Sequence, residues 1–196
     1  MSDPVLHIIA GPNGAGKTTF YAKILEPVTH LEFVNADVIA TDRWPGAEVE
    51  HAYEAAKLAA AERAQRIQAR QSFATETVFS HESKIALLRD AKQAGYRVSL
   101  HIVLISEDLA VARVVTRVFH GGHDVPEHKV RARFGRLWGH LRDAVALVDD
   151  AQVYDNASAA EPFRLVASFL NGQLIGIARW PPWTPQELRE AGESNY

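Results

Sequence analysis

Cysteine is absent from the 196-residue chain. Its absence excludes thiol nucleophiles, Cys-ligated zinc and iron–sulfur chemistry, and leaves no disulfide from which a redox compartment could be read. Long apolar runs are missing too. Nothing approaches the roughly 18 consecutive apolar residues of a membrane-spanning helix, and the N-terminal run Val5–Ala10 has neither the length nor the basic flank of a signal segment. No sign of charge dominates: 21 basic residues against 24 acidic ones give a net charge of −3. Chain-wide charge therefore supports neither a nucleic-acid nor a membrane-surface role, and any basic site must be local. A cytoplasmic protein is the expectation. What remains is an ordinary globular composition, 47% apolar and 23% charged, in a chain long enough to bury roughly 70% of its unfolded surface without disulfide or metal staples.

Strand and helix signals alternate. Val5–Ala10 reads as a buried strand, followed by a Gly-rich turn (Gly11–Gly16) and a helix from about Lys17 to Leu25. Leu31–Asn35 reads as a second strand. Ala47–Arg70 is rich in strong helix formers. Ser72–Phe79 alternates β-branched and aromatic residues, as a strand does. Glu82–Ala94 reads as a helix closed by Gly95, Arg97–Ile105 as a strand, and Glu107–His120 as a helix stopped by Gly121-Gly122. Pro126 opens a further helix to about Leu147. Gln152–Asp155 and Arg164–Asn171 read as strands, and Asn171-Gly172 as a hairpin turn into Gln173–Arg179. The tail Trp180–Tyr196, with three prolines, is expected to pack last or fray. The pattern predicts an α/β fold: a mainly parallel sheet sandwiched by helices, with a helical Arg-rich lid and a C-terminal hairpin. One domain is expected over 1–180, with the lid at about 107–140 and a tail over 181–196.

The sharpest motif is Gly11-Pro12-Asn13-Gly14-Ala15-Gly16-Lys17-Thr18, a match to G-x-x-x-x-G-K-[ST] between a strand and a helix. Its glycines let backbone N–H groups curl toward phosphate oxygens, and the helix N-terminus adds positive potential. Lys17 would reach the β- and γ-phosphates and the Thr18 hydroxyl would hold Mg²⁺. The expected nucleotide contacts run from Gly11 through Thr19, with ATP and Mg²⁺ as the implied cofactors. A dinucleotide fingerprint is excluded because Thr19 stands where its third glycine should fall.

Asp37 lies just past the second strand, where ligands sit in open parallel sheets. It can accept a proton from an attacking hydroxyl, help to hold Mg²⁺, or merely cap the next helix. Glu76 sits in an otherwise buried strand, which is costly unless it is paired or faces a cleft. It reads as a substrate or Mg²⁺ ligand, or else as an edge residue. No clean Walker-B strand of four apolar residues followed by Asp is present, since the run Val145–Val148 before Asp149 falls at the end of a segment read as helix; this weighs against motor-type and regulatory ATPases. Seven of the 21 basic residues fall within 113–142: Arg113, Arg117, Lys129, Arg131, Arg133, Arg136 and Arg142. Arginine suits a lid closing over transferring phosphate, although these cannot all point one way, so two or three are expected to act. His123 reads as a phosphate contact rather than a zinc ligand.

Together, Gly11–Thr18, Val34-Asn-Ala-Asp37, Ala74-Thr-Glu-Thr77, Arg117 with Gly121-Gly-His-Asp-Val-Pro126, and Tyr154-Asp-Asn156 resemble the zeta-toxin family of P-loop kinases. The resemblance implies ATP-dependent phosphorylation of a sugar hydroxyl on a UDP-activated amino sugar such as UDP-N-acetylglucosamine, and a separate antitoxin partner. It implies Asp37 as general base and Arg117 as a lid arginine. Glu76 and Thr77 fall on a substrate strand, and Asn156 beside the adenine. The founding toxins have a second lid arginine near His123; Arg133 or Arg136 would take its place here. The catalytic set is thus Lys17, Asp37 and Arg117, and the substrate set Asp37, Glu76, Thr77, Arg113, His123 and Arg133. The alternatives are a kinase for another hydroxylated metabolite, drug or nucleoside, a nucleic-acid-end kinase, and an ATP-binding regulatory module. Acids within the lid and the net negative charge argue against nucleic acid.

Overall fold

The computed structural model describes residues 3–119 and 125–192. Strand β1 (Val5–Ala10) opens the fold and leads into α1 (Lys17–Phe20), which continues through a π-helical stretch (Tyr21–Leu25) into α2 (Glu26–Thr29). Then come β2 (Phe33–Val34), α3 (Ala36–Arg43), α4 (Ala52–Gln68), β3 (Phe73–Thr77), α5 (Ser83–Gln93), β4 (Arg97–Leu104), α6 (Glu107–Phe119) and α7 (Glu127–Val145). The chain finishes with β5 (Asp150–Asp155), β6 (Arg164–Leu170), β7 (Gln173–Ile175) and α8 (Gln186–Arg189).

The strands form one sheet in the order β2-β3-β1-β4-β5-β6-β7. The first five are parallel, while β6 and β7 add as antiparallel neighbours. Strand order reverses around β1, so the segments leaving β1 and its neighbours diverge and open a crevice at the carboxyl ends of the strands. Period-two alternation divides the core. Leu6, Ile8 and Ala10 of β1 join Val98, Leu100, Ile102 and Leu104 of β4 on one face. Ile9 and Val103 join Phe20, Leu25 and Val114 on the other. Buried on both faces, these central strands need the helix layers that the sequence pattern predicts.

The expected fold class is what the structure has, with local differences. The helix expected from Ala47 begins at Ala52, because Gly46 (φ +86°) turns the chain and its N–H donates to Glu48 Oε1 at 3.0 Å. Gly95 (φ +77°) closes α5, its N–H donating to the Lys92 carbonyl at 3.0 Å. Asn171 and Gly172 both have positive φ, as a two-residue hairpin turn of type I′ requires. The returning strand stops at Ile175 rather than Arg179, interrupted at Gly176 (φ +71°), although the Arg179 N–H still donates to the Val166 carbonyl of β6 at 2.7 Å. The described part of the tail does not fray. Leu188 and Ala191 are buried in the main core, and Arg189 ties α8 to the carbonyls of Pro181, Pro182 and Thr184.

Candidate active site

The glycine-rich turn leaves β1 at the carboxyl edge of the sheet. Gly16 is the N-cap of α1 with φ +90°, and it offers no side chain to the first turn. The amides there consequently keep their capacity to bind an anion. A Cβ at Gly16 would stand 2.8 Å from Asn156 Nδ2. That Nδ2 donates to the Ala15 carbonyl at 2.8 Å, so the segment after β5 braces the turn. Arg113 on α6 braces it again, donating to the carbonyls of Asn156 (2.9 Å) and Gly14 (3.4 Å). Phe163 packs edge-on against Phe20 beside the same segment.

Lys17 is buried, and its Nζ donates to the Pro12 carbonyl at 3.1 Å. Desolvation lowers its pKa; Glu76 and Asp37 oppose that shift, whereas Arg117 and Arg133 add to it. Those influences locate the charges around one ammonium group. The Thr18 hydroxyl donates to Glu76 Oε2 at 2.8 Å. Register explains the contact: Glu76 lies opposite Ile9, near the end of β1, so its side chain meets the turn that follows. Hydroxyl and carboxylate are hard oxygen donors of the kind Mg²⁺ prefers, and this pair fits that ion. Among the described residues no group of three or more His, Asp or Glu could hold a metal unaided, which suits Mg²⁺ completed by phosphate oxygens and water.

Asp37 does not cap α3. Asn35 does, its Oδ1 accepting from the Asp37 N–H at 2.7 Å. The Asp37 carboxylate is thereby released to the cavity in which Lys17, Thr18, Glu76 and Thr77 also lie. This cavity has a volume of about 670 Å³.

Of the basic residues in the lid, the structure brings Arg113, Arg117 and Arg133 to the cavity. Arg131 instead pairs with Glu127 (2.8 Å), Asp108 (3.3 Å) and Glu107 (3.4 Å), which hold it more firmly charged. Arg142 pairs with Asp143 at 3.0 Å, and Lys129 and Arg136 are exposed. Of the candidates for the second lid residue, Arg133 lines the cavity and Arg136 does not. Arg113, expected among the substrate contacts, lines the same cavity while donating to the carbonyls of the phosphate loop and of Asn156. His123 lies outside the described residues. Sequence reasoning missed Asn35, Phe163, Arg63, Ser80 and Lys84. The last three also line the cavity. Arg63 had a legible signal, since Ala52, Ala56, Ala59 and Arg63 recur at helical spacing and share one face of α4.

Residues 6–137 match a family model described as an AAA domain. No curated protein matches the sequence. Among solved structures, the chain is similar to one from the PezAT chromosomal toxin–antitoxin system of Streptococcus pneumoniae, with a TM-score of 0.61 and 16% identity over 79% of this chain and 68% of that one. It is also similar to a chain of the AvrRxo1-ORF1:-ORF2 complex with ATP, with a TM-score of 0.68 and 20% identity over 88% of this chain. Only 60% of that chain's length is spanned. A gluconokinase from Sinorhizobium meliloti gives a TM-score of 0.51 and 17% identity over 83% of this chain and 87% of that one. These likenesses establish a P-loop kinase-like fold, in agreement with the motif resemblance.

Proposed function

The chain belongs to the AAA domain family, its model matching residues 6–137, and from that premise we propose that it is an ATP-dependent small-molecule kinase of zeta-toxin type. It transfers the γ-phosphate of ATP to a hydroxyl of a UDP-activated amino sugar such as UDP-N-acetylglucosamine. One observation carries the reading. A single cavity holds the phosphate loop with Lys17 and Thr18, the carboxylates of Asp37 and Glu76, and the guanidinium groups of Arg117 and Arg133. A carboxylate, two arginines and a phosphate loop facing one cavity of about 670 Å³ suit transfer to an acceptor hydroxyl.

The roles follow from chemistry. The first-turn amides of α1 and the Lys17 ammonium cradle the triphosphate, while Asn156, Phe163 and Arg113 flank the loop on the side assigned to the adenine. Thr18 and Glu76 would hold Mg²⁺, which when bound offsets charge on the phosphates. Asp37 accepts the proton of the acceptor hydroxyl as its oxygen bonds to the γ-phosphorus. The bond from that phosphorus to the β–γ bridging oxygen breaks, and ADP leaves. Arg117 and Arg133 stabilise negative charge on the transferring group. Burial lowers the pKa of Lys17, and an arriving phosphate supplies the counter-charge that favours its ammonium form. A separate antitoxin protein as partner and action in the cytoplasm belong to the same reading.

The test is phosphorus NMR of purified protein with Mg·ATP and UDP-N-acetylglucosamine. Product is expected from the native chain. Asp37→Asn should slow turnover by about 10²–10⁴-fold with nucleotide affinity unchanged. Undiminished turnover in that variant would sink the base assignment.

A further inference from the structure

The cavity carries more positive charge than a triphosphate explains. Among the described residues lining it are six cationic side chains and two acidic ones. Lys17, Arg117 and Arg133 are grouped electrostatically around the phosphate loop, and Arg113 is committed to the carbonyls of Gly14 and Asn156. That leaves Arg63 on α4 and Lys84 on α5, from helices that the phosphate loop does not use. Both are half-buried. Neither is joined by a hydrogen bond or ion pair to an acid among the described residues. Glu62, next to Arg63 in the chain, opposes the burial shift of Arg63 without pairing with it, and is bound by Arg66 at 2.9 Å.

Two cations held in one partly desolvated cavity with no acid in direct contact are unfavourable on their own. Burial lowers the pKa of each, and the charge of Arg63 lowers that of Lys84 further. An arrangement of this kind is relieved by an anion placed between the two. The neighbouring wall of α4 is built from Ala52, Ala56 and Ala59, which leave space, and Ser80 adds a hydroxyl to the same cavity.

We propose that Arg63 and Lys84, with Ser80, form an anion subsite that grips a phosphate or diphosphate group of the acceptor. The substrate is then a phosphate-bearing hydroxyl compound, and neutral sugars and free nucleosides are poor acceptors. The guanidinium fork and the ammonium give this group paired, charge-assisted hydrogen bonds. This subsite rests on the kinase reading only for the identity of the cavity as the acceptor site; the binding it predicts is measurable without turnover.

Isothermal titration of UDP and of uridine tests it, using the full chain saturated with Mg·AMP-PNP so that the phosphate loop is occupied. UDP is expected to bind and uridine to bind at least about tenfold more weakly. Arg63→Ala and Lys84→Ala should each weaken UDP binding by about tenfold and leave uridine binding where it was. Arg63→Lys, which keeps the charge, should recover most of the loss and guards against a folding artefact. Equal affinity for UDP and uridine, or equal UDP affinity in the native chain and both alanine variants, overturns the subsite while phosphoryl transfer itself stands. Retained UDP binding with no transfer to any acceptor overturns the kinase reading and leaves the subsite.

Discussion

Replacing His101 by phenylalanine should remove a measurable part of the stability lost between pH 7.5 and pH 4.5. His101 lies on β4 facing the same side of the sheet as His7 on β1, and its Nε2 is 2.9 Å from His7 Nδ1. The two rings stack at 5.2 Å, with Phe20 at 5.4 Å and Tyr154 at 6.2 Å from His101. Its other nitrogen, Nδ1, is buried without a partner. A bare lone pair is tolerated better there than an orphaned N–H, which assigns the proton to Nε2, donating to His7. A charged imidazolium would need a partner for Nδ1–H, and none is at hand. Burial, and then the proximity of His7, accordingly push the His101 pKa down from 6.5 to about 3.

In the unfolded chain the same ring takes up a proton near pH 6.5. Between pH 6.5 and about 3 the unfolded state therefore binds one more proton than the folded state, and stability falls as pH falls. Each pH unit in that window removes about 1.4 kcal/mol, so lowering the pH from 6.5 to 4.5 costs about 2.7 kcal/mol from His101 alone. Urea unfolding at pH 7.5 and pH 4.5 measures this for the native chain and for His101→Phe. The variant's absolute stability is not the readout, because it also loses the bond to His7. The difference in pH dependence is. The native chain should lose about 2–3 kcal/mol more than the variant over that interval. His7, whose pKa is lowered chiefly by its own burial, leaves both proteins with a shared residual slope. Parallel losses in the two proteins would refute the reasoning, and so would a His101 ring proton resonance that titrates near pH 6.

Gly16→Ala places a Cβ at φ +90° and 2.8 Å from Asn156 Nδ2, so it should weaken AMP-PNP binding by more than about tenfold through strain of roughly 1–3 kcal/mol in the phosphate loop; fluorescence titration with a labelled nucleotide reads it. Asn35→Ala removes the cap of α3 and should cost about 1 kcal/mol in thermal unfolding. The same change frees the Asp37 amide and loosens its carboxylate, so turnover should fall while nucleotide affinity holds.

Legibility differed between the two walls of the cavity, for a physical reason. The phosphate-loop wall is local in sequence: eight consecutive residues between one strand and one helix create it, and strand order places it at the sheet edge. Asp37 and Glu76 were legible for a related reason, since each follows or ends a strand that must finish at that same edge. What a linear reading could not decide was which competing local role each would take. Asp37 could have been the cap of α3 until Asn35 was seen to do that work. Arg113 and Arg117 share a helix face, yet Arg113 is drawn to two backbone carbonyls, and that preference depends on the course of the chain after β5.

The opposite wall is assembled from α4 and α5, elements separated by a strand, and no spacing rule joins Arg63 to Lys84. Lys84 looks alone like a solvated cation on an amphipathic helix, and the Ala-lined face that carries Arg63 marks a side of α4 without saying what it faces. Only the three-dimensional neighbourhood distinguishes the two from Arg131, whose charge is balanced by three acids. The contrast bears on specificity. A phosphate loop fixes the donor through backbone amides, which many sequences can supply. The acceptor must be chosen by side chains on the helices that cover the sheet, where the chain is free to vary without disturbing the core. The cation pair on α4 and α5, rather than the glycine-rich turn, is therefore where exchange of substrate should be sought: Arg63→Glu should reverse the preference for UDP over uridine, and nucleotide affinity measured with AMP-PNP should not move.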